Sequence, residues 1–169
     1  LFMFKRGVSP VIATVLLLAL TVGLASIIFA FVVPFVQDQL GNSKACLKVL
    51  DGVEFADSKF NCYSPTETGF SIKVKKTEVT AVRVSFIDDV GNSEVKNIPD
   101  NDVDENFRII GGEYGPALNN FPSSGGQRTY ITNKKYSKAE ISPVTESGNT
   151  CAVADTIEFT PCSPDVVFS

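Results

Sequence analysis

Residues 7–37 read GVSPVIATVLLLALTVGLASIIFAFVVPFVQ, a run without one charged side chain. Lys5 and Arg6 stand just before it, and Asp38 is the first charge after it. As a helix rising 1.5 Å per residue it would extend about 45 Å. That exceeds the hydrocarbon of a bilayer, about 30 Å. A soluble domain of this size needs no such element, so the run dictates a division of the chain into an apolar helix and a separate body. The core of a secretory signal is shorter, about 7–15 residues, and ends in a small-residue cleavage site. The run therefore reads as a retained helix with the basic pair left on the cytoplasmic side at insertion.

Within it, Ser9 is a candidate cap, and Pro10 lies in the first turn, where a missing N–H costs little. Ala19, Gly23, Ser26 and Ala30 give two small-xxx-small spacings of the kind that let helix backbones approach closely. Leu16, Leu17, Leu18, Leu24, Ile27, Ile28, Phe29, Phe31 and Phe35 fill the rest. A helix apolar on every side belongs in lipid or among other helices. Pro34 is expected to kink or end it, and residues 38–44, with Gly41 and Asn42, to form a junction. The domain reading is 1–37 for the helix, 38–44 for the junction and 45–169 for an outer domain. The first residue is Leu1 rather than Met, which reads as processing or trimming ahead of it.

The outer part is a different kind of sequence. Thirteen basic residues stand against nineteen acidic ones beyond the helix, a charge of −6 within a chain total of −4. That argues against nucleic acid as the main partner, because phosphate recognition needs clustered Lys and Arg. There is no His, which removes the commonest general base and metal ligand. Cys46, Cys62, Cys151 and Cys162 all follow the helix. An even number after a membrane-type segment suggests an oxidising exterior and two disulfides. Of three possible pairings, Cys46–Cys62 with Cys151–Cys162 is favoured by closeness in sequence. Four buried thiols are the plain alternative, and zinc is disfavoured because no C-x-x-C pair is present.

From Ala45 onward the all-apolar pattern gives way to short strand-like runs at 46–55, 69–75, 78–87, 94–98, 107–110, 128–132 and 152–159. In the third, Val82, Val84 and Phe86 fall on one face and Ala81, Arg83 and Ser85 on the other, the alternation of a half-buried strand. Asp89-Val90-Gly91-Asn92 reads as a hairpin connection, and residues 114–127 as a long surface loop. Short strands separated by Gly, Pro, Asn and Ser predict an antiparallel sandwich, hence an α+β chain.

Few residues suggest chemistry. Asp100, Asp102 and Asp104 open like a calcium loop, but Glu105 stands where the turn needs Gly and Gly111 where a bidentate Glu belongs. An acidic surface loop is the plainer reading, a weak cation site the alternative. No nucleophile motif is visible, so neither catalysis nor a cofactor is expected. No N-x-[ST] sequon occurs, and Asn149-Thr150-Cys151 is only the rare cysteine variant.

Lys5-Arg6-Gly7-Val8-Ser9-Pro10-Val11-Ile12-Ala13-Thr14, followed by a Leu/Ile/Val/Ala run, resembles the N-terminus of archaeal type IV pilins. The resemblance covers roughly the first thirty-five residues. It implies a structural subunit of an adhesive pilus, with helices stacked in a filament core and an immunoglobulin-like β head outside. It also implies a prepilin peptidase that removes a basic leader, a pilus assembly machinery, and storage in the cytoplasmic membrane before assembly at the cell surface. Lys5, Arg6 and Gly7 are the processing-motif region. A cut after Gly7 would leave Val8 first; a cut upstream of Leu1 is the favoured alternative. The glutamate that bacterial pilins carry near the start of the mature helix is absent, which fits an archaeal assembly. Two other readings stay open: an archaellin of a swimming filament, and a membrane-anchored extracellular binding domain.

Overall fold

The computed structural model describes residues 10–102, 104–115 and 121–168. In it the apolar run forms one helix, α1, Pro10–Val49. Ser9 lies outside the described residues. The chain divides into two units, Leu1–Asn42 and Ser43–Ser169.

The helix is longer than its sequence suggests. Pro34, Gly41 and Asn42 lie inside it, so residues 38–44 are helical and the turn expected there is absent from them. An interior proline costs about 3 kcal/mol and a glycine about 1. A helix already nucleated over twenty apolar residues adds each further residue without a new nucleation cost, which lets it run through both. The run 46–55, expected as strand, is therefore split. Residues 46–49 are the last turn of α1, Leu50–Gly52 is a short 3-10 turn, and β1 is only Val53–Phe55.

The second unit is two β-sheets. The strands are β2 (Cys62–Tyr63), β3 (Thr68–Val74), β4 (Ala81–Ile87), β5 (Ser93–Ile98), β6 (Phe107–Ile109), β7 (Gln127–Thr132), β8 (Lys138–Val144), β9 (Asp155–Glu158) and β10 (Thr160–Pro161). One sheet runs β10-β2-β3-β7-β6, with β1 also on β3; the other runs β5-β4-β8-β9. Among the described residues the pairings are antiparallel, as expected, except that of β10 with β2, which is parallel. Parallel neighbours need a long connection, and no local pattern signals one.

The alternation read in β4 holds: Val82, Val84 and Phe86 are wholly buried, while Ala81, Arg83 and Ser85 are not. Phe86 joins the two sheets. Its ring centroid lies 4.9 Å from Phe70 of β3, 5.6 Å from Phe107 of β6 and 4.9 Å from Tyr136. Such ring pairs add about 0.5–1.5 kcal/mol beyond the area they bury. Asp88 to Asn92 closes the β4–β5 hairpin, with Gly91 at φ +92° where a side chain would be strained.

Sequence patterning missed β8 because Pro143 and two charges interrupt it. The strand is nevertheless central, with Ala139, Ile141 and Pro143 turned inward. Its ladder to β9 covers only residues 138–141, so Pro143 lies past the point where an N–H is needed on that side.

The cysteines all pair, but not by proximity. The bridges are Cys46–Cys151 and Cys62–Cys162, separated by 105 and 100 residues, and this overturns the favoured Cys46–Cys62 and Cys151–Cys162 pairing. The reason is topological. β10 lies alongside β2, with Thr160 opposite Cys62, and Cys162 donates its N–H to the Tyr63 carbonyl at 2.9 Å. The last turn of α1 and the β8–β9 connection supply the other pair.

Candidate functional site

The α1 helix is the first candidate. Its side chains from Val11 to Leu40 lie open in the single chain: Leu20 is 64% exposed and Phe31 73%. The helix is long and apolar enough to cross a membrane by length and composition. Its few hydroxyls are satisfied within it. Thr14 and Thr21 donate to the Val11 and Leu18 carbonyls at 2.9 Å, and Ser26 to the Val22 carbonyl at 2.8 Å. Those donors are thus paired before the helix enters any apolar surroundings, where an unpaired one would be costly.

Helical spacing sorts the rest. Ala19, Gly23, Ser26 and Ala30 follow at steps of four, three and four and fall on one narrow stripe. Leu17, Leu24, Ile28 and Phe35 fall on the opposite face. A Cβ added to Gly23 meets nothing within 4 Å in the single chain, so whatever Gly23 is small for is not part of it. Lys5, Arg6 and Gly7 lie outside the described residues.

In the second unit, Asp100 and Asp104 converge on a lysine. Lys96 Nζ lies 2.8 Å from Asp100 Oδ2 and 2.7 Å from Asp104 Oδ2, over the Phe107 ring. Burial alone would lower the Lys96 ammonium, but its hydrogen bonds to the two carboxylates outweigh this and hold it above the ordinary lysine value. The Lys96 hydrogen bond likewise holds Asp100 below the usual carboxylate range; at Asp104 burial pushes upward but the bond to Lys96 prevails. Asp102 is exposed, and its N–H donates to Asp100. The three aspartates are thus two halves of an ion-pair clamp and a turn residue.

A second cluster had no sequence signal. Arg108, nearly buried, donates to the Phe168 carbonyl, to the Gly112 carbonyl at 3.2 Å and to Glu67 at 3.3 Å. Tyr114 donates to the same Glu67 oxygen at 2.6 Å and carries the Arg108 guanidinium over its ring. Burial, then the bond to Glu67, raises the Tyr114 phenol. Glu67 and Phe168 lie 41 to 60 residues from the Arg108 and Tyr114 groups that bind them, beyond the reach of any local pattern. The cluster anchors the C-terminal segment, whose Phe168 ring packs with Cys62 and Ile131 against the bare Cα of Gly69. Beside it, Tyr63, Pro65, Pro161, Pro164 and Val166 line an open groove of about 630 Å³. Lys135 at its rim is held by Asp89 at 2.6 Å.

The model of a family described as archaeal type IV pilin, N-terminal, matches residues 6–42. No curated protein matches the chain. The match ends where the first structural unit ends, at Asn42, and covers the whole apolar run. The apolar helix of this chain is thus similar to the N-terminal segment of archaeal type IV pilins, and a pilin-like filament subunit is what that likeness supports.

Proposed function

We propose that the chain is the structural subunit of an extracellular adhesive pilus, with no enzymatic role. The observation that carries this is α1 itself: a helix apolar on every side, matched to the pilin N-terminus. Before assembly, lipid satisfies all its faces. In a filament its own copies do so. Burying each large side chain is worth about 1.5–3 kcal/mol, so a helix bearing Leu17, Leu24, Ile28, Phe31 and Phe35 binds its neighbours firmly. The bulky face of one helix fits against the small stripe of the next. Two different surfaces in contact make a heterologous interface, and such an interface grows into a helical array when its rotation does not close.

In this reading a prepilin peptidase cuts a basic leader in or ahead of the Lys5-Arg6-Gly7 region, and the assembly machinery draws the helix out of the membrane. The β unit, taken as immunoglobulin-like, coats the fibre.

Electron cryo-microscopy of material sheared from the cells tests this. Fibres with packed α1 helices inside and β heads outside are the expected result. Protein found only as detergent-soluble monomers in the membrane fraction would favour the anchored binding domain instead. A deletion strain that attaches normally but no longer swims would make the filament an archaellum.

A further inference from the structure

The two disulfides cross: Cys46–Cys151 begins first, and Cys62–Cys162 begins inside it and ends outside. Cys46 lies on the last turn of α1, four residues before the chain enters the 3-10 turn. Cys151 lies in the connection between β8 and β9. The bridge therefore closes a covalent ring that holds every strand from β1 to β8, and the helix backbone joins that ring at Cys46.

We propose that this ring is a force clamp, which sends tension arriving along the helix past the β1–β8 strands instead of through them. The proposal rests on the filament reading, since only a filament that holds onto something pulls on its heads. The clamp works through path length. With neither bridge, a load applied near the C-terminus reaches the helix only through the whole intervening chain. With Cys46–Cys151, the load passes from Cys151 directly to Cys46 and skips 105 residues. At about 3.4 Å per extended residue those residues hold roughly 350 Å of slack. A load applied inside the ring is divided between two arms, so no ring residue lies more than about half the ring from the helix. Cys62–Cys162 adds a second closure by tying the segment after β10 to β2. Unravelling would cost the head its packed core around Phe70 and Phe86, and the clamp keeps that core from being drawn out strand by strand.

The ring also predicts a direction. Pro143 or Asn149, late in the ring, lies close to Cys151 by chain and is well shielded. The Asp88–Asn92 hairpin tip is 42 residues or more from Cys46 by either arm, and the bridge shortens its path to the helix not at all.

Single-molecule pulling on the full chain, with α1 held in a lipid nanodisc, tests the clamp. One non-thiol handle follows the C-terminus, and in a second variant the handle is inserted at Val90, the exposed tip of the hairpin. With the C-terminal handle, the oxidised chain should yield only the length after Cys151, about 60 Å at full extension. Reductant added to the folded protein should release roughly 350 Å more. The Cys62→Ala/Cys162→Ala variant keeps the ring and should keep the short limit. With the Val90 handle, extension should be nearly the same before and after reduction. Full extension of the oxidised chain, or a C-terminal limit indifferent to reductant, overturns the clamp. Neither result depends on fibres, and a lack of fibres in sheared material would sink the filament reading without altering these extensions.

Discussion

Gly23 and Gly69 show how differently the two units of this chain are held. Gly23 lies midway along α1, and a Cβ there would meet nothing within 4 Å. Gly69 lies in β3, and a Cβ there would run into the Phe60 carbonyl and the Phe168 ring. Nothing in the single chain limits the side chain at the first position, whereas the head's own core limits it at the second. The same contrast holds throughout. The helix buries almost nothing before Val49 and carries no titratable group in residues 10–37. Among the described residues the head buries eleven large side chains completely, and it ties itself with ion pairs and two bridges. The helix is a surface waiting for surroundings; the head has supplied its own. Sequence alone separates an apolar unit from a mixed, acidic one, and burial shows that only the second supplies its own core.

Substitutions that strike one unit and spare the other sharpen this contrast. The largest effect should come from Phe86→Ala, which empties the ring cluster between the sheets and should cost the head about 3–5 kcal/mol. Thermal unfolding of the head would report it, while the helix should still enter membranes. Leu20→Asp should do the reverse. A carboxylate at the helix centre costs about 2.5–3.5 kcal/mol in a bilayer. Membrane retention and fibre yield should fall while head unfolding is unchanged; a shift in head unfolding would mean that the units are not separable.

Next come the glycines. Gly69→Ala should destabilise the head by about 1–3 kcal/mol by displacing Phe168. Gly23→Leu should leave the lone chain no less stable, since leucine is the better helix former. It should reduce fibre yield all the same, and normal yield would remove Gly23 from the packing stripe.

The smallest effect should be pH. Asp100, Asp104, Glu54 and Glu94 all have lowered pKa values. At Asp100 and Glu54 a lysine hydrogen bond leads; at Asp104 and Glu94 burial is the largest influence and opposes the shift, but lysine bonds outweigh it. A carboxylate with a lowered folded pKa contributes stability above its unfolded value, near 4, and loses it as pH falls through the folded value. Head stability should therefore be flat from pH 8 to about 5, with no His to titrate there, and should fall below about 4. Residues 10–37 of the helix have nothing to protonate, so acid should loosen heads before it dissolves fibres. Circular dichroism beside electron microscopy across that range would check the order.

Much of this molecule was decided by local sequence. Thirty-one uncharged residues can only be one long apolar helix, because backbone groups in lipid must pair within their own segment. The pilin likeness of that stretch was legible for the same reason: its motif is contiguous. The β4 face was legible because alternation has period two and Val82, Val84 and Phe86 keep it. The helix end was not legible, since Gly41 and Asn42 are stop signals only where propagation is weak. β2 and β10 were invisible at two residues each. The Asp100–Lys96–Asp104 clamp was half visible: the acidic spacing could be read, but not the ammonium that fills it.

What tertiary structure alone decided is everything that pairs residues far apart. Closeness in sequence favoured Cys46 with Cys62 and Cys151 with Cys162, yet the strand order set Cys46 against Cys151 and Cys62 against Cys162. Arg108 found Phe168 and Glu67 by the same route. A helix is specified by neighbours three and four residues away and so can be read along the chain. A sheet is specified by partners that may be a hundred residues distant, and only the packed fold determines which they are.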